Sequence, residues 1–435
     1  MQTLWQKRTQ LPAFPQLSGE ERTDVLVIGG GMAGLLTAWH LQQKGIDTIL
    51  VEKERLCSGT TAGTTAKITA QHGLLYHKLL RDHGEEYARM YYNANAQAVK
   101  ELKKLCEHAG CDLENKDNFV YSRDLRKLEK EWSALQTLGI PAQVTDRLPL
   151  PIDLIEAIGF ENQGQFDPLQ LAVFLAKDLK IYENTRVTEL IGTTAVTDRG
   201  KIRAKKIVVA THFPFLNKHG SYFLKLYQHR SYVLALEGEP RLDDMYVDDD
   251  LKGYSFSSFG EYLLLGGGGH RTGKRGGSYY QLRDAKVRFY PRAAERFHWA
   301  AQDTMSLDGI PYIGNYSART PDLYVAAGFN KWGMTGSMVS ARLLSAMIAG
   351  ESPDWAPVFS PSRSVLKPQL LVNGVETTMN LLWPTTRRCP HLGCALKYNK
   401  QEHSWDCACH GSRFDEDGKL LNNPANHDMK NPPGR

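Results

Sequence analysis

The distribution of apolar residues near the N-terminus predicts two strands separated by a helix. Residues 25–28 form an apolar run of strand length, and apolar residues then recur with helical spacing over residues 35–41. Gly45 is well placed to end that helix, because glycine adopts the left-handed conformation that often follows one. Residues 48–51 form a second apolar run, which ends at Glu52. This order of elements indicates an α/β domain.

Glycines occupy the turn between the first strand and the helix in the pattern G-x-G-x-x-G. Gly29, Gly31 and Gly34 let the backbone turn tightly and approach a pyrophosphate, which would lie at the positive N-terminus of the helix. Glu52 can accept hydrogen bonds from ribose hydroxyls. The fingerprint therefore predicts a dinucleotide site but leaves FAD and NAD both open. Its N-terminal contacts are predicted to be Gly29, Gly31, Met32, Ala33, Gly34, Glu52 and Lys53.

Other patterns outline the rest of the chain. Residues 85–109 carry apolar side chains near helical spacing, which predicts an amphipathic helix. Residues 231–236 and 262–266 are strand-like, and the glycine-rich turns near them indicate an antiparallel sheet. A linker without a long helix is predicted where prolines punctuate the chain, at Pro353, Pro357, Pro361 and Pro368.

Composition and charge narrow the class of protein. The 435-residue chain is long enough for two or three domains. Its net charge of +5 is mild for this length and no basic tract is present, so nucleic-acid binding is not indicated. No apolar stretch reaches the roughly 18–20 residues of a membrane span. Residues 1–20 are polar and lack the apolar core of a signal peptide. We therefore expect a cytoplasmic protein with no integral membrane segment.

Two short cysteine–histidine motifs lie near the C-terminus. Cys389 and His391 form a Cys-x-His pair, and Cys407 and His410 form a Cys-x-x-His pair that begins after fifteen intervening residues. This is the ligand pattern of a Rieske centre, in which two thiolates hold one iron of a [2Fe–2S] cluster and two imidazoles hold the other. A structural zinc site is the alternative, although zinc sites favour Cys-x2-Cys knuckles.

The C-terminal region thus resembles the Rieske family, and the resemblance implies further features. Cys394 and Cys409 stand where Rieske proteins of cytochrome bc complexes carry a disulfide that ties the two ligand loops together. Ser412 occupies the position of a serine that donates to the cluster in high-potential members, whereas the tyrosine expected two residues later is Phe414. Residues 385–388 replace an expected apolar strand and residues 426–435 lack a closing strand, so the shielding sheet is expected to be incomplete.

The segment after the first acidic residue is rich in small hydroxyl residues. Residues 59–67 resemble the loop with which the D-amino-acid-oxidase and glycine-oxidase superfamily wraps the FAD pyrophosphate, while a flexible surface loop is the alternative. Further segments resemble that superfamily, at residues 167–171, 185–188, 207–211, 308–314 and 327–336. The resemblance implies FAD as the cofactor. The contacts that it implies are Thr60, Thr61, Thr64, Thr65, Val187, Ala210, Thr211, Gly309, Gly328, Gly333, Met334 and Thr335.

Together the two resemblances identify the chain as a flavoprotein of this superfamily joined to a Rieske domain. The expected fold is α/β: a Rossmann-like FAD-binding domain with an inserted α+β substrate domain, and a small all-β Rieske domain. The oxidoreductase part is expected over residues 20–350. Within it the FAD-binding pieces are about 20–75, 160–215 and 305–350, and the substrate pieces about 76–159 and 216–304. The linker is placed at 351–368 and the Rieske domain at 369–435.

The substrate pocket is less well defined by the sequence. The candidate catalytic residues are Lys331, Trp332, His72 and Arg271, with Tyr232 and His270 as further pocket candidates. Lys331 and Trp332 interrupt the segment that resembles the flavin-contact loop, where the lysine could stabilise negative charge on reduced flavin. Arg271 could hold a carboxylate bidentately or be a solvated loop residue. His72 could act as a base, although packing or hydrogen bonding is the commoner role of such a histidine.

The resemblance implies an FAD-dependent dehydrogenase that oxidises the C–N bond of an amine or amino acid. The Rieske centre would pass electrons singly to an external acceptor. One alternative is an electron-transfer or redox-sensing protein without small-molecule turnover. Another is a Rieske oxygenase, which needs a mononuclear iron held by two histidines and a carboxylate. His72 and His77 have a suitable spacing, but no acidic residue lies within the dozen residues before them.

Overall fold

The structure is a computed structural model that describes residues 2–153, 156–216, 219–274 and 278–429. Within these ranges the helices are α1 Leu4–Arg8, α2 Met32–Gln43, α3 Tyr76–His83, α4 Glu85–Ala109, α5 Leu125–Leu138, α6 Pro168–Ala176, α7 Tyr222–Lys225, α8 Tyr279–Phe289, α9 Gly333–Ile348, α10 Ala356–Phe359 and α11 Pro368–Leu382.

The strands in the same ranges are β1 Gly19–Ile28, β2 Thr48–Val51, β3 Lys67–Ile68, β4 Leu113–Ser122, β5 Gln143–Thr145, β6 Glu156–Phe166, β7 Lys180–Tyr182, β8 Val187–Ile191, β9 Thr194–Thr197, β10 Gly200–Val209, β11 Leu226–Glu237, β12 Met245–Asp248, β13 Ser255–Phe259, β14 Tyr262–Arg271, β15 Ala294–Ser306, β16 Tyr312–Asn315, β17 Leu323–Ala327, β18 Leu396–Asn399, β19 Ser404–Cys407, β20 Arg413–Asp415 and β21 Leu420–Asn422.

The first large sheet is built around the N-terminal strand. β1 pairs in parallel with β10 on one side and with β2 on the other, and the strand order is β16–β17–β10–β1–β2–β7. The last four residues of β1 and all of β2 are buried, as expected for a parallel sheet covered on both faces by helices. The strand–helix–strand order predicted from the apolar pattern is therefore confirmed, with α2 beginning at Met32 directly after the glycines.

The second large sheet is mostly antiparallel. Its strand order is β15–β11–β14–β13–β12–β4–β6–β3, and β5 pairs with β6. β11 pairs antiparallel with both β14 and β15, so the antiparallel sheet expected from residues 231–236 and 262–266 is confirmed. Strands from residues 113–122 and 156–166 extend this sheet. The architecture is thus the predicted combination of a Rossmann-like α/β unit and an inserted α+β unit.

The amphipathic helix predicted for residues 85–109 is present as α4. One face of the helix is buried and includes Ala88, Tyr91, Ala98 and Leu102, which belong to the main core. Gly110 ends the helix in the left-handed conformation, with φ of 67° and ψ of 30°. The apolar periodicity therefore gives both the length of this helix and the face that it buries.

The segment predicted as a linker, residues 351–368, packs against the α/β unit. Val358 and Phe359 are fully buried in the main core. Arg363 forms a buried ion pair with Asp308, with Nε 2.7 Å from Oδ2. Proline does limit helix formation here, because the four-residue α10 is the helix that forms between residues 351 and 367 of the described chain. A chain cut at residue 350 would lose this buried packing.

The C-terminal region forms a small antiparallel sheet in the order β18–β19–β20–β21. This is the all-β domain that the sequence predicts. Residues 385–388 contribute no strand beyond an isolated bridge between Arg388 and Ala395. Residues 430–435, part of the tail expected to lack a closing strand, lie outside the described residues. A separate small core fills the domain, formed by Cys389, Cys394, Leu396, Trp405, Cys407, Cys409, Phe414, Leu420, Ala425 and Met429.

A helix precedes this small sheet, and the sequence pattern did not predict it. α11 begins at Pro368, the last of the prolines that were expected to exclude a long helix. Proline is compatible with the first turn of a helix, because its fixed φ is helical and its missing N–H would have no partner there. The prolines therefore prevent a helix before residue 368 but favour one that begins at it.

A buried cluster of charges joins β11 to the C-terminal domain. Arg230 pairs with Glu402, which also accepts hydrogen bonds from Arg413 at 3.0 Å and from the Tyr232 hydroxyl at 2.9 Å. Burial favours the neutral acid, but the two guanidinium groups outweigh it and hold the pKa of Glu402 at about 2. Removing one member of a buried ion pair typically costs ~3–5 kcal/mol. This cluster therefore fixes the C-terminal domain on the second sheet.

Candidate active site and metal centre

The glycine turn forms a concave backbone surface at the N-terminus of α2. Gly29 has φ of +109°, which side-chain-bearing residues rarely adopt, and its N–H donates to Val51 O at 2.8 Å. A Cβ on Gly34 would clash with Gly29 O, so α2 can approach the strand this closely because residue 34 is glycine. The glycines thus let the N-terminus of α2 lie close to the end of β1 beside the cavity, which fits the pyrophosphate of FAD.

Glu52 closes the same turn from the end of β2. Its Oε2 accepts a hydrogen bond from Gly30 N at 2.7 Å, and its Oε1 accepts one from Glu54 N at 3.1 Å. Burial raises the pKa of Glu52, and the two backbone N–H donors oppose this shift. A carboxylate has more acceptor positions than these two bonds use, so it can still accept from ribose hydroxyls.

A cavity of about 940 Å³ extends from this turn and is lined by residues of both large sheets. Its volume is within the range of small-molecule and cofactor sites. Lys331, Trp332, His72 and Tyr232 line it. The predicted FAD contacts that line it are Gly29, Gly31, Met32, Ala33, Glu52, Lys53, Thr60, Thr61, Thr64, Thr65, Val187, Ala210, Thr211, Gly309, Gly333 and Met334.

The hydroxyl-rich loop of residues 59–67 is an ordered wall of this cavity. The Thr61 hydroxyl oxygen accepts a hydrogen bond from Met32 N at 3.1 Å, which ties the loop to the start of α2. The Trp5 indole N–H donates to Thr64 O at 2.7 Å, and the Thr60 hydroxyl donates to a backbone carbonyl of β15 at 3.3 Å. These bonds disfavour the alternative of a flexible surface loop.

Three of the predicted cofactor residues, Gly34, Gly328 and Thr335, do not line the cavity. Thr335 exchanges two hydrogen bonds with the backbone of Thr69, donating to its carbonyl at 2.9 Å and accepting from its N–H at 3.1 Å. A Cβ on Gly328 would approach the Leu226 side chain at 3.0 Å. These residues lie behind the cavity, where they fix the backbone that lines it.

Lys331 lies in a turn with unusual backbone geometry. Asn330 and Lys331 both have positive φ, of 52° and 73°, which costs energy for residues other than glycine. Burial lowers the pKa of Lys331, and the nearby Asp303 opposes this shift. Burial raises the pKa of Asp303 to about 6, with Lys331 acting against it. A partly buried cation and a partly buried acid therefore share one wall of the cavity.

Trp332 and His72 stack on each other at the same wall, with ring centroids 5.2 Å apart and planes 18° from parallel. Both nitrogens of His72 are engaged: Nδ1 lies 2.6 Å from the Tyr91 hydroxyl and Nε2 lies 2.9 Å from Thr69 O. Burial lowers the pKa of His72 to about 4, so the ring is neutral near pH 7. The structure therefore gives His72 a packing and hydrogen-bonding place, which leaves no free nitrogen for a base.

The carboxylate-binding role considered for Arg271 does not agree with its position. Arg271 does not line the cavity; its guanidinium donates to Ala408 O and Cys409 O, both at 3.2 Å, and to Asn373 Oδ1 at 2.9 Å. These contacts place its positive charge against the second metal-ligand loop. His270 also lies outside the lining, where it stacks on Tyr232 at 5.8 Å.

The histidine pair considered for a mononuclear iron is committed to other contacts. His77 Nδ1 lies 2.8 Å from Glu131 Oε2, and His72 uses both of its ring nitrogens as described above. No group of two histidines and a carboxylate with converging ligand atoms occurs among the residues that the structure describes. The structure therefore gives no support to the oxygenase alternative.

The four predicted metal ligands come together at the top of the small sheet. Cys389, Cys407 and His410 are buried, and the rings of His391 and His410 are 4.9 Å apart. Burial lowers the pKa of His391 to about 4 and that of His410 to about 3, which favours the neutral imidazoles that metals bind. Two thiols and two neutral imidazoles on adjoining loops fit the ligand set of a Rieske cluster.

Hydrogen-bond donors surround the thiol of Cys407. The Cys389 thiol and the backbone N–H groups of residues 409 and 410 hydrogen-bond to it, while Gly411 N donates to the carbonyl oxygen of Cys407 at 2.9 Å. The bond from Cys389 and these N–H groups lower the pKa of Cys407 to about 7, although burial opposes the shift. Cys394 and Cys409 form the disulfide that the family resemblance implies.

One ligand loop of the centre docks on the α/β unit. The ring of His410 lies between Phe213 and Phe223, with centroid distances of 6.4 and 6.2 Å. Gln302 donates to Gly411 O at 2.9 Å, which joins β15 to the same loop. His391, by contrast, is half-buried and follows the other loop. Of the two imidazole ligands, His410 therefore contacts the aromatic side chains beside the cavity through its ring.

The C-terminal domain also forms part of the cavity wall, and no sequence motif indicates this contact. Residues 420–423, 425 and 426 line the cavity together with the predicted FAD contacts. Asn423 Nδ2 donates to Thr211 O and to Phe213 O, both at 2.7 Å. Asp303 was also missed, since a single acid in an alternating strand gives no sequence signal beyond that of an exposed residue.

Ser412 should set part of the reduction potential of the cluster. Its side chain hydrogen-bonds to Cys389 and accepts from Ala425 N at 3.0 Å, while Phe414 offers no hydroxyl. Hydrogen-bond donors near the cluster favour its reduced, more negative form and so raise its reduction potential. With the Ser412 hydroxyl present and no hydroxyl at Phe414, the potential should lie within about −150 to +300 mV but below the upper end. Ser412→Ala should lower it by tens of mV, with about 60 mV for each ~1.4 kcal/mol of differential bonding.

Phe414→Tyr should shift the potential in the opposite direction, because it adds a donor. A redox titration of the full-length protein followed by electron paramagnetic resonance measures both shifts. A wild-type potential at the top of the range, or an unchanged potential in Ser412→Ala, would contradict the assigned role.

Comparison with known proteins gives two family matches. The model of the family described as FAD dependent oxidoreductase matches residues 24–347, and that of the Rieske [2Fe-2S] domain matches residues 369–433. YhfW of Bacillus subtilis, named as a Rieske 2Fe-2S iron-sulfur protein, is 32% identical over 99% of this chain and 97% of its own length. Gamma-glutamylputrescine oxidoreductase of Escherichia coli is 22% identical over 78% of this chain and 86% of its own length.

Among solved structures, glycine oxidase from Geobacillus kaustophilus superposes with a TM-score of 0.66. It covers 79% of this chain and 100% of its own, at 19% sequence identity, and this likeness supports the fold alone. Within the described part of the chain, no helix has both the length and the hydropathy needed to cross a bilayer.

Proposed function

The chain belongs to the FAD-dependent oxidoreductase family and carries a Rieske [2Fe–2S] domain, and we propose that it oxidises the C–N bond of an amine or amino acid and passes the electrons through the cluster to an external acceptor. Both predicted cofactors are those of the matched families. FAD, when bound, takes a hydride from a carbon that bears nitrogen, and a [2Fe–2S] cluster carries one electron at a time. Each turnover would therefore use the cluster twice.

The docking of the ligand loop of His410 is the observation that carries this proposal. His410 lies against Phe213 and Phe223, and Asn423 of the same domain binds the backbone of Thr211 and Phe213 beside the cavity. A centre that served only stability or sensing would not need its domain to form part of the cavity wall.

The substrate class is proposed from the chemistry of two relatives. Glycine oxidase and gamma-glutamylputrescine oxidoreductase are named for an amino acid and an amine donor. In the present chain Lys331 and Asp303 place both signs of charge on one cavity wall. We assign Lys331 the role of stabilising negative charge that develops next to it. Trp332 shapes the same wall and excludes water from it. The Asp303 carboxylate offsets the positive charge of Lys331.

An anaerobic substrate screen tests the proposed reaction. Purified holoprotein is mixed with amines, amino acids and 2-hydroxy acids, and the visible absorbance of the flavin is followed. We expect bleaching by a member of the first two classes and none by 2-hydroxy acids. If no compound bleaches the flavin while dithionite reduces both cofactors, the protein is an electron carrier or sensor without turnover.

We also propose a cytoplasmic location. The described cysteines outside the metal centre, Cys57, Cys106 and Cys111, are free thiols, which suits a reducing compartment. Cell fractionation with immunodetection tests this location, and recovery from an oxidising compartment with these thiols paired would contradict it.

A further inference from the structure

Helix α11 has the opposite polarity to that expected of a surface helix. Its buried residues are Asn373, Glu376 and Asn380, which are polar. The opposite face is apolar and exposed, and its residues are Leu371, Val372, Val375, Met379, Leu382 and the adjoining Trp383, each more than half exposed. Soluble proteins rarely expose a contiguous apolar patch of this kind unless it has a partner. We refer to these six side chains as the apolar face of α11.

The hydrogen bonds and the ion pair of the polar face of α11 explain why that face points toward the rest of the protein. Asn373 Oδ1 accepts from Arg271 at 2.9 Å, Glu376 pairs with Lys274, and Asn380 O accepts from Ala395 N at 3.0 Å. Each bond fixes the helix on the rest of the protein through polar groups. The outward direction of the apolar face is therefore a stable property of the fold rather than an effect of loose packing.

The charges on the chain segment that carries the apolar face are mostly basic, with Asp82 of α3 close to Lys367. Residues 364–401 contain five basic residues and a single acid, Glu376, which is buried and paired with Lys274. Lys367 precedes the helix, and Arg387 and Arg388 follow it. An apolar helix face with a terminal tryptophan and basic flanks is the pattern of helices that lie in the interface of an anionic bilayer.

We propose that the apolar face of α11 docks on an anionic phospholipid surface. Its aliphatic side chains would enter the boundary between headgroups and acyl chains, and Lys367 and Arg387 would lie among the phosphates. Arg388 donates to the backbone carbonyls of Leu381, Trp383 and Gly393 and so holds the end of the helix. The protein would lie on the bilayer without crossing it, which agrees with the helix lengths in the described chain. The proposal does not depend on the proposed enzymatic reaction, because lipid binding needs no turnover.

A second copy of the chain is the competing occupant, and the charges disfavour it. A two-fold symmetric contact places the same patch of both subunits together. In an antiparallel pair of α11 helices, the Lys367 end of one copy would meet the Arg387 and Arg388 end of the other. Like charges at the rim would repel, and no acidic residue between 364 and 401 is available to offset them except the committed Glu376.

Vesicle co-sedimentation of the full-length holoprotein tests the proposal. Vesicles of pure phosphatidylcholine are compared with vesicles that contain about one-third phosphatidylglycerol. We expect binding to the anionic vesicles and at least about tenfold weaker binding to the neutral ones. Raising the salt from about 0.1 M to about 1 M, which shortens the Debye length from about 10 Å to about 3 Å, should weaken the binding.

A pair of matched variants locates the contact. Val375 is 61% exposed on α11, and Val287 is 64% exposed on α8. Val375→Glu should weaken binding to anionic vesicles by at least about tenfold, whereas Val287→Glu should leave it unchanged. Val375→Leu, which keeps the apolar face, should bind at least as well as the wild type. Flavin content and circular dichroism check that each variant is folded.

Three results would overturn the proposal. The first is equal sedimentation of wild type and Val375→Glu with anionic vesicles. The second is equal binding to neutral and anionic vesicles, which would remove the role of the basic flanks. The third is absence of vesicle binding together with a dimer in analytical ultracentrifugation that Val375→Glu dissociates, which would assign the apolar face of α11 to a second copy of the chain.

Discussion

Gly34→Ala should yield a protein that retains little or no FAD. The added Cβ would clash with the carbonyl of Gly29, so α2 must move away from β1 or the turn must change shape. Ordinary overpacking in a core costs ~1–3 kcal/mol, and a clash with backbone cannot be relieved by a rotamer change. Because the turn and the helix N-terminus form the pyrophosphate cradle, we expect at least about a tenfold loss of bound flavin.

Gly59→Ala is the matched control for this substitution. Gly59 lies in the hydroxyl-rich loop of the same cavity, and a Cβ there meets nothing within 4 Å. Its flavin content should equal that of the wild type. Flavin fluorescence after denaturation, set against protein concentration, measures both variants. Full flavin content in Gly34→Ala would mean that the turn is not the pyrophosphate site.

Cys407→Ser should remove the cluster and stop delivery of electrons to a one-electron protein acceptor such as cytochrome c. The thiol of Cys407 lies among backbone donors that favour a thiolate, and a serine hydroxyl is a poor substitute as an iron ligand. Iron and acid-labile sulfide should fall from about two each per chain toward zero. Cytochrome c reduction should fall by at least about 100-fold, while anaerobic reduction of the flavin by substrate should continue.

Cys111→Ser provides the control, because Cys111 is a half-buried free thiol outside the metal centre. This variant should keep its iron and its cytochrome c reductase activity. The decisive comparison is an iron-free, flavin-replete Cys407→Ser preparation. If such a preparation reduces cytochrome c as fast as the wild type, electrons leave the flavin without passing through the cluster. Zinc in place of iron in wild-type protein from iron-replete cells would refute the Rieske assignment itself.

The parts of the fold that the sequence predicted depend on short-range patterns. The glycine turn with Glu52, the α4 helix and the Cys–His pairs each place a fixed residue type at a fixed offset, which limits the local structures that the segment can adopt. The cavity accordingly brings together most of the residues assigned to FAD. Resemblance supplied segments that no local pattern would reveal, such as the one that contains Lys331 and Trp332.

The parts that the sequence did not predict depend on contacts between distant segments. Arg271 was placed in the substrate pocket, but its partners are the carbonyls of residues 408 and 409, more than a hundred residues later. The sequence does not reveal α11, because a proline such as the one at its first position interrupts a helix as readily as it begins one. Burial raises the pKa of Asp303, and the sequence alone does not show that this single acid in a strand is withdrawn from solvent.

The buried pairing of Arg230 with Glu402 should determine how the rate of internal electron transfer depends on solvent viscosity. A cluster on a mobile domain would have to diffuse through solvent between its electron donor and its acceptor. The rate of electron transfer would then fall as the viscosity of the solvent rises. Here the ligand loop of His410 is already docked, and the ion pair holds it there. Internal electron transfer, followed by stopped-flow absorbance, should therefore be independent of viscosity in sucrose. Arg230→Met, which removes one of the contacts that hold the domain, should make that rate more dependent on viscosity. The wild type would show such a dependence if docking were transient.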